Sequence, residues 1–156
     1  MKNLLFVCTG NTCRSSMAEA LFRRLVKSSG MGKLADLDAA SAGISAREGD
    51  RASLNAIKAM EELGIDLSQH RARQLTKDMI DRADLILTMT EGHRDFIRVM
   101  DPGAREKTFT LKEYTDEDAA KAGDLDIDDP FGGSVEVYRR SAMEIKEALQ
   151  RLLERL

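Results

Sequence analysis

Three times within the first hundred residues a short apolar run gives way to helical spacing, and this alternation limits the folds open to the chain. Lys2 to Val7 ("KNLLFV") reads as a buried strand, after which Ala18, Leu21, Phe22 and Leu25 share one face of a helix from Ser15 to Val26. Leu37 to Gly43 ("LDAASAG") is a second extended segment. The helix predicted from Arg51 to Leu63 carries Leu54, Ile57 and Met60 on one face and stops at Gly64. Ala83 to Met89 ("ADLILTM") is a third strand, and Thr90 caps a helix that runs to Met100 before "DPG". Lys107 to Leu111 predicts a fourth strand and Thr115 to Asp129 a polar acidic loop. A final helix, Val135 to Leu156, is striped by Val135, Tyr138, Ala142, Ile145, Leu149 and Leu152. Strands alternating with helices predict an α/β fold, a parallel sheet covered on both faces with ligands at the carboxyl ends of its strands.

With 156 residues, 42% of them hydrophobic and only two prolines, the chain is expected to form one domain over residues 1–156. No apolar stretch approaches the roughly 18 residues of a membrane span, and the N-terminal run is too short for a secretion signal. A cytoplasmic protein without a membrane partner is expected. A net charge of −3 with both signs interspersed offers no basic patch, so nucleic acid is not an expected partner. The only two cysteines, Cys8 and Cys13, can build neither a disulfide framework nor a four-ligand zinc site. Redox or nucleophilic use of a thiol remains.

Both cysteines lie in "CTGNTCRS", Cys8 to Ser15, between the first strand and the first helix. Cys8 and Arg14 have C-x5-R spacing, which chance alone supplies about 5% of the time; the context adds the weight. Backbone N–H groups of Thr9, Gly10, Asn11, Thr12 and Cys13, together with the helix N-terminus, make an anion cradle. Cys8 stands at its mouth, where the same amides, Arg14 and the Ser15 hydroxyl would stabilise a thiolate nucleophile. Arg14 can clamp two phosphoryl oxygens at once. Gly10 and Asn11 suit left-handed backbone that turns amides inward.

Expelling a leaving group from phosphorus requires a proton donor. "DDPFGGS", Asp128 to Ser134, supplies the candidate: Asp129 before a rigid Pro130, Phe131 as a pocket wall, and two glycines that let the chain bend close. From this segment alone, a polar turn leading into a helix capped by Ser134 is the favoured reading.

"VCTGNTCRS", "SAG" at Ser41 to Gly43, "HRARQL" at His70 to Leu75, "DLILTM" and "DDPFGGS" occur in the order found in low-molecular-weight protein tyrosine phosphatases. The chain resembles that family over essentially its whole length. "CTGNTCRS", "TLKEY" and "DPFGGS" are most similar to its bacterial protein-arginine phosphatases. The resemblance implies a three-layer fold with a four-stranded parallel sheet flanked by helices, and a phosphate-binding loop between the first strand and the first helix. It further implies a phosphocysteine on Cys8, phosphate binding by the loop from Thr9 to Ser15 and by Arg14, and Asp129 as acid and then base. Asp128 is the competing carboxylate, and alignment on Pro130 favours Asp129. No metal or other cofactor is implied, and phosphorylated proteins are the implied partners.

By the same resemblance Asn11, Ser41 and His70 form a hydrogen-bond network that holds the loop, and Cys13 is the residue able to form a disulfide with Cys8. Thr12 and Phe131 are the implied specificity residues: Thr12 stands where tyrosine phosphatases carry a larger aliphatic side chain, and Phe131 where eukaryotic relatives carry paired tyrosines. Dephosphorylation of phosphoarginine is the expected activity, with tyrosine phosphatase activity as the nearest rival. A non-catalytic phosphate-binding or thiol redox-sensing module is the alternative from another class, opposed by the intact set Cys8, Arg14, Ser15 and Asp129. Arsenate reduction would need relay cysteines after Cys13, and there are none.

Overall fold

Alternate side chains of the first strand, β1 (Asn3–Cys8), enter opposite layers of the protein. Leu4, Phe6 and Cys8 join the larger apolar core, and Leu5 and Val7 join the smaller one. The computed structural model describes residues 1–156. After β1 come α1 (Arg14–Ser29), β2 (Asp38–Gly43), α2 (Leu54–Glu62), α3 (Lys77–Arg82), β3 (Leu85–Thr88), α4 (Glu91–Met100), β4 (Thr108–Thr110), α5 (Leu111–Thr115), α6 (Glu117–Ala122) and α7 (Val135–Arg155).

The four strands form one parallel sheet in the order β2-β1-β3-β4. Helices α1, α2, α5 and α7 contribute to the larger core, and α3 and α4 cover the other face, so the three-layer expectation holds. Phe6 on β1 and Phe22 on α1 are fully buried with ring centroids 5.8 Å apart, each burial contributing about 1.5–3 kcal/mol. Because β2 and β3 flank β1 on opposite sides, the connections after β1 and β3 diverge and open a crevice at their carboxyl ends.

Local chemistry moves several element boundaries. The second helix begins at Leu54 rather than Arg51, because the Ser53 side chain caps it by accepting from Ala56 N and Arg51 bridges to Arg71 instead. Leu54 is 75% exposed, and Ala56, Ala59 and Met60 bury in its place. The expected acidic loop contains α6, since Asp116 caps Asp118 N and Ala119 N and Gly123 ends the helix in the left-handed region. Two further short helices, α3 and α5, are started by Thr76 and by a Thr110/Glu113 capping box that cuts the fourth strand to three residues. No helix is long and apolar enough to cross a membrane.

Candidate active site

Thr9 to Cys13 bring a run of donors to the end of β1. Their carbonyls are largely engaged by the rest of the protein: Thr9 O accepts from Ser45 N, Asn11 O from His70 Nε2 and Thr12 O from Ser53 N. The N–H groups of Thr9, Gly10, Asn11, Thr12 and Cys13 donate to nothing in the protein. Backbone donors in a folded protein are nearly always paired, so five in succession mark a binding surface for an anion. They border a cavity of about 240 Å³ lined by Cys8, Thr9, Gly10, Thr12, Cys13, Arg14, Asp129 and Phe131.

Asn11 turns the loop. Its φ of 58° is the sole left-handed value at a non-glycine residue, whereas Gly10, expected to share it, stays outside that region. Three partners hold the conformation: His70 Nε2 donates to Asn11 O (2.7 Å), Arg73 N to Asn11 Oδ1 (3.0 Å), and Asn11 Nδ2 donates to Ser15 Oγ (2.8 Å). Ser15 Oγ, with its lone pair engaged by Asn11, stands 2.8 Å from Cys8 Sγ and can donate its proton to the sulfur. Gly43, at the end of β2, permits this geometry from behind. A Cβ there would lie 2.4 Å from Thr9 O and 2.9 Å from Asn11 N.

Ser41 corrects the expected network. Its hydroxyl donates to Glu19 Oε1 (2.7 Å) rather than to Asn11 or His70, and its carbonyl accepts from Arg73 Nε at 3.4 Å. Ser41 therefore reaches the loop only through Arg73, because the side chain of a β2 residue at this register faces α1. Thr12, half-buried at the cavity, is not the helix cap. Cys13 occupies that position, and the nearest polar contact of Thr12 Oγ1 is Cys13 Sγ at 3.8 Å.

Arg14 is 4% exposed. Its Nη1 donates to Ile127 O (2.9 Å) and its Nη2 lies 3.5 Å from Asp129 Oδ2, while Nε is buried without a protein partner. A buried charged donor left unmatched is costly, and a phosphoryl oxygen is the acceptor that suits a guanidinium fork. Asp129 is half exposed, and its Oδ1 accepts from Phe131 N (3.1 Å). Asp128 is exposed and does not line the cavity. Phe131, 77% exposed, stands at the cavity mouth. Ser134 holds the cap position of α7 without a side-chain capping bond.

Cys8 and Cys13 are both buried and carry free thiols. Cys13 Sγ lies 3.3 Å from Tyr138 Oη and 3.5 Å from Ser53 Oγ. Burial, with the Cys13 contact next in weight, pushes the Tyr138 hydroxyl up to about 12. His93, on α4, lies 2.9 Å from Thr9 Oγ1 through Nε2 and 2.9 Å from Thr90 Oγ1 through Nδ1. Burial foremost, and then the Arg14 charge, lower its pKa to about 4, against opposing pulls from Asp126 and Asp129. Glu19, His93 and Tyr138 thus support the site without a motif of their own, and Arg73 does so from within "HRARQL", where only His70 has an expected role. For His93 the available signal is positional: it follows the cap of the helix after β3, at the carboxyl edge next to Cys8.

A thiol at the floor of an amide cradle, an arginine fork and a carboxylate at the rim define a cysteine-dependent phosphatase site. Residues 3–156 match the family described as low molecular weight phosphotyrosine protein phosphatase, and the chain belongs to that family. It is 44% identical to a protein-arginine-phosphatase of Geobacillus stearothermophilus, over 98% of this chain and 95% of that one. A low molecular weight protein tyrosine phosphatase from T. tengcongensis superposes with a TM-score of 0.90 at 39% identity, covering all of both chains. A YwlE arginine phosphatase variant with a phosphorylated active-site serine superposes at 0.88, with 38% identity over 99% of this chain and 95% of that one.

Proposed function

We propose that this phosphatase hydrolyses phosphoarginine in proteins. The five unpaired amides around Cys8 carry the reading: they and Arg14 would hold the three phosphoryl oxygens. Cys8 Sγ attacks phosphorus as the P–N bond breaks, and Asp129 gives its proton to the departing guanidino nitrogen. The guanidinium leaves. Water then attacks the phosphocysteine, Asp129 takes a water proton, the P–S bond breaks toward the Cys8 thiolate, and inorganic phosphate is released. Ser15 stabilises that thiolate in both steps. Asn11 and His70 keep the loop in shape, with Ser41 acting through Arg73.

The arginine-phosphatase name of the Geobacillus relative supports this substrate, as does the small polar Thr12 at the cavity. Phosphotyrosine is the second reading, favoured by the family description and by the close superposition on the T. tengcongensis enzyme. Cys13 would act as a resolving thiol, closing a reversible disulfide with oxidised Cys8. A bacterial cytoplasmic location fits both the thiol chemistry and the phosphorylated-protein partners. Turnover of matched phosphoarginine, phosphotyrosine and phosphoserine peptides tests the assignment: phosphoarginine is expected to give the highest kcat/KM, and a higher value for phosphotyrosine would reverse it.

A further inference from the structure

Thr9 is a cavity-lining side chain of the loop tied by a hydrogen bond to α4, on the face of the sheet opposite α1. Its Oγ1 lies 2.9 Å from Nε2 of His93, a residue only 5% exposed at the start of α4. The other ring nitrogen, Nδ1, lies 2.9 Å from Thr90 Oγ1, which already accepts from His93 N at 3.2 Å. The tautomer with its proton on Nε2 satisfies both contacts: Nδ1 accepts from the Thr90 hydroxyl and Nε2 donates to Thr9, and this is the tautomer assigned. Capping of α4 needs only Thr90, so the contact with Thr9 lies outside what the helix requires.

The consequence for Thr9 is specific. Its oxygen is fixed by an N–H from behind, which leaves one lone pair and the hydroxyl proton for the cavity. Burial and the neighbouring Arg14, outweighing Asp126 and Asp129, keep His93 neutral at ordinary pH, so the arrangement of one donor and one acceptor persists.

We propose that Thr9, positioned by His93, is a second selector for an N-phosphorylated guanidino group, accepting a guanidino N–H while donating to a phosphoryl oxygen. This rests on the phosphoarginine reading and deepens it. An aryl phosphate offers the phosphoryl oxygen but no N–H beside it, so only the N-phosphorylated substrate uses both capacities of the hydroxyl. Thr9 touches the substrate; His93 acts through it.

The test compares kcat/KM for a phosphoarginine peptide and an aryl phosphate in the wild type, Thr9→Val, His93→Leu, His93→Gln and the double variant Thr9→Val/His93→Leu. Thr9→Val and His93→Leu are each expected to lower the phosphoarginine-to-aryl ratio about tenfold, with no further loss in the double variant. His93→Gln, whose amide N–H can still donate to Thr9, is expected to recover most of the ratio. An unchanged ratio in Thr9→Val, in a wild type that prefers phosphoarginine, overturns the proposal alone. Equal losses on both substrates with a lowered Tm would make the pair structural and also overturn it. A wild type with no preference for phosphoarginine removes the underlying reading, and the proposal with it.

Discussion

Cys8 Sγ and Ser15 Oγ are 2.8 Å apart, and Asn11 Nδ2 donates to the same Ser15 oxygen from the other side. The serine proton is left for the sulfur at 2.8 Å or for Ala42 O at 3.5 Å, and a Cys8 thiolate is the nearer and charged acceptor. A hydrogen bond to a charged group contributes about 1.5–3 kcal/mol, so Ser15→Ala is expected to lower kcat roughly 10- to 100-fold with an aryl phosphate. Cys8→Ser should abolish turnover and leave the thermal transition in place, because a hydroxyl of similar size is far less ionised. Appreciable steady-state phosphate release by Cys8→Ser would exclude the covalent route.

Asp129 borders the cavity beside Arg14, whereas Asp128 is turned to solvent. Asp129→Asn is expected to reduce kcat by roughly 10²–10⁴-fold, the usual worth of a general acid, and Asp128→Asn to leave it within a few-fold. Parallel kcat measurements on the two variants decide between the carboxylates, and a larger loss in Asp128→Asn would reverse the assignment.

At the opposite end of the loop, Thr12 presents a small polar side chain to the cavity and does not cap α1. Replacing it with isoleucine offers an aliphatic wall to a phenol ring and leaves guanidino donors unsatisfied. Thr12→Ile should move the phosphoarginine-to-phosphotyrosine ratio of kcat/KM by at least about tenfold toward phosphotyrosine, or about 1.4 kcal/mol. Matched peptides with identical flanks give the ratio directly, and constancy would acquit Thr12.

Mild peroxide should inactivate the enzyme, with thiol reductant restoring it through a Cys8–Cys13 disulfide. Cys13 must leave Tyr138 and Ser53 to form that bond. In Cys13→Ser, oxidation of Cys8 is expected to run on to irreversible acids, visible as added oxygen mass on the Cys8 peptide. The same recovery in both proteins would deny Cys13 a protective role.

His93 titrates near 4 in the fold against about 6.5 when unfolded. Between these values the unfolded chain binds the extra proton, so stability falls as pH drops through this window and is unaffected above it. About 2 kcal/mol should be lost between pH 7 and pH 5 relative to His93→Gln, whose side chain does not titrate. Urea unfolding of both proteins at the two pH values measures the difference, and parallel curves would contradict it.

The alternation of β1, α1, β2 and β3 was legible because buried strands and amphipathic helices leave different periods in sequence, and the motif Cys8 to Ser15 was legible because its residue types admit few chemistries. The short helices α3, α5 and α6 were not. They rest on single capping side chains, Thr76, Thr110 and Asp116, within polar stretches that look the same as loops. Leu54 carried the right period and the wrong role, since capping by Ser53 placed it in the first turn facing solvent. The supporting residues were hidden for a different reason: Glu19 and Tyr138 meet the site only through pairings such as Cys13 with Tyr138, 125 positions apart, which no local window contains. Arg73, though inside "HRARQL", has a role set by its pairing with Asn11, 62 positions away.

The bond from Arg14 Nη1 to Ile127 O spans 113 residues. Turnover therefore cannot reappear after denaturation until nearly the whole chain has returned to register, since the loop alone lacks both the anchor for its arginine and its proton donor. Loop closure over that span is slow compared with local helix formation. Regained catalysis is consequently a late clock for renaturation, expected to lag the recovery of helical circular dichroism.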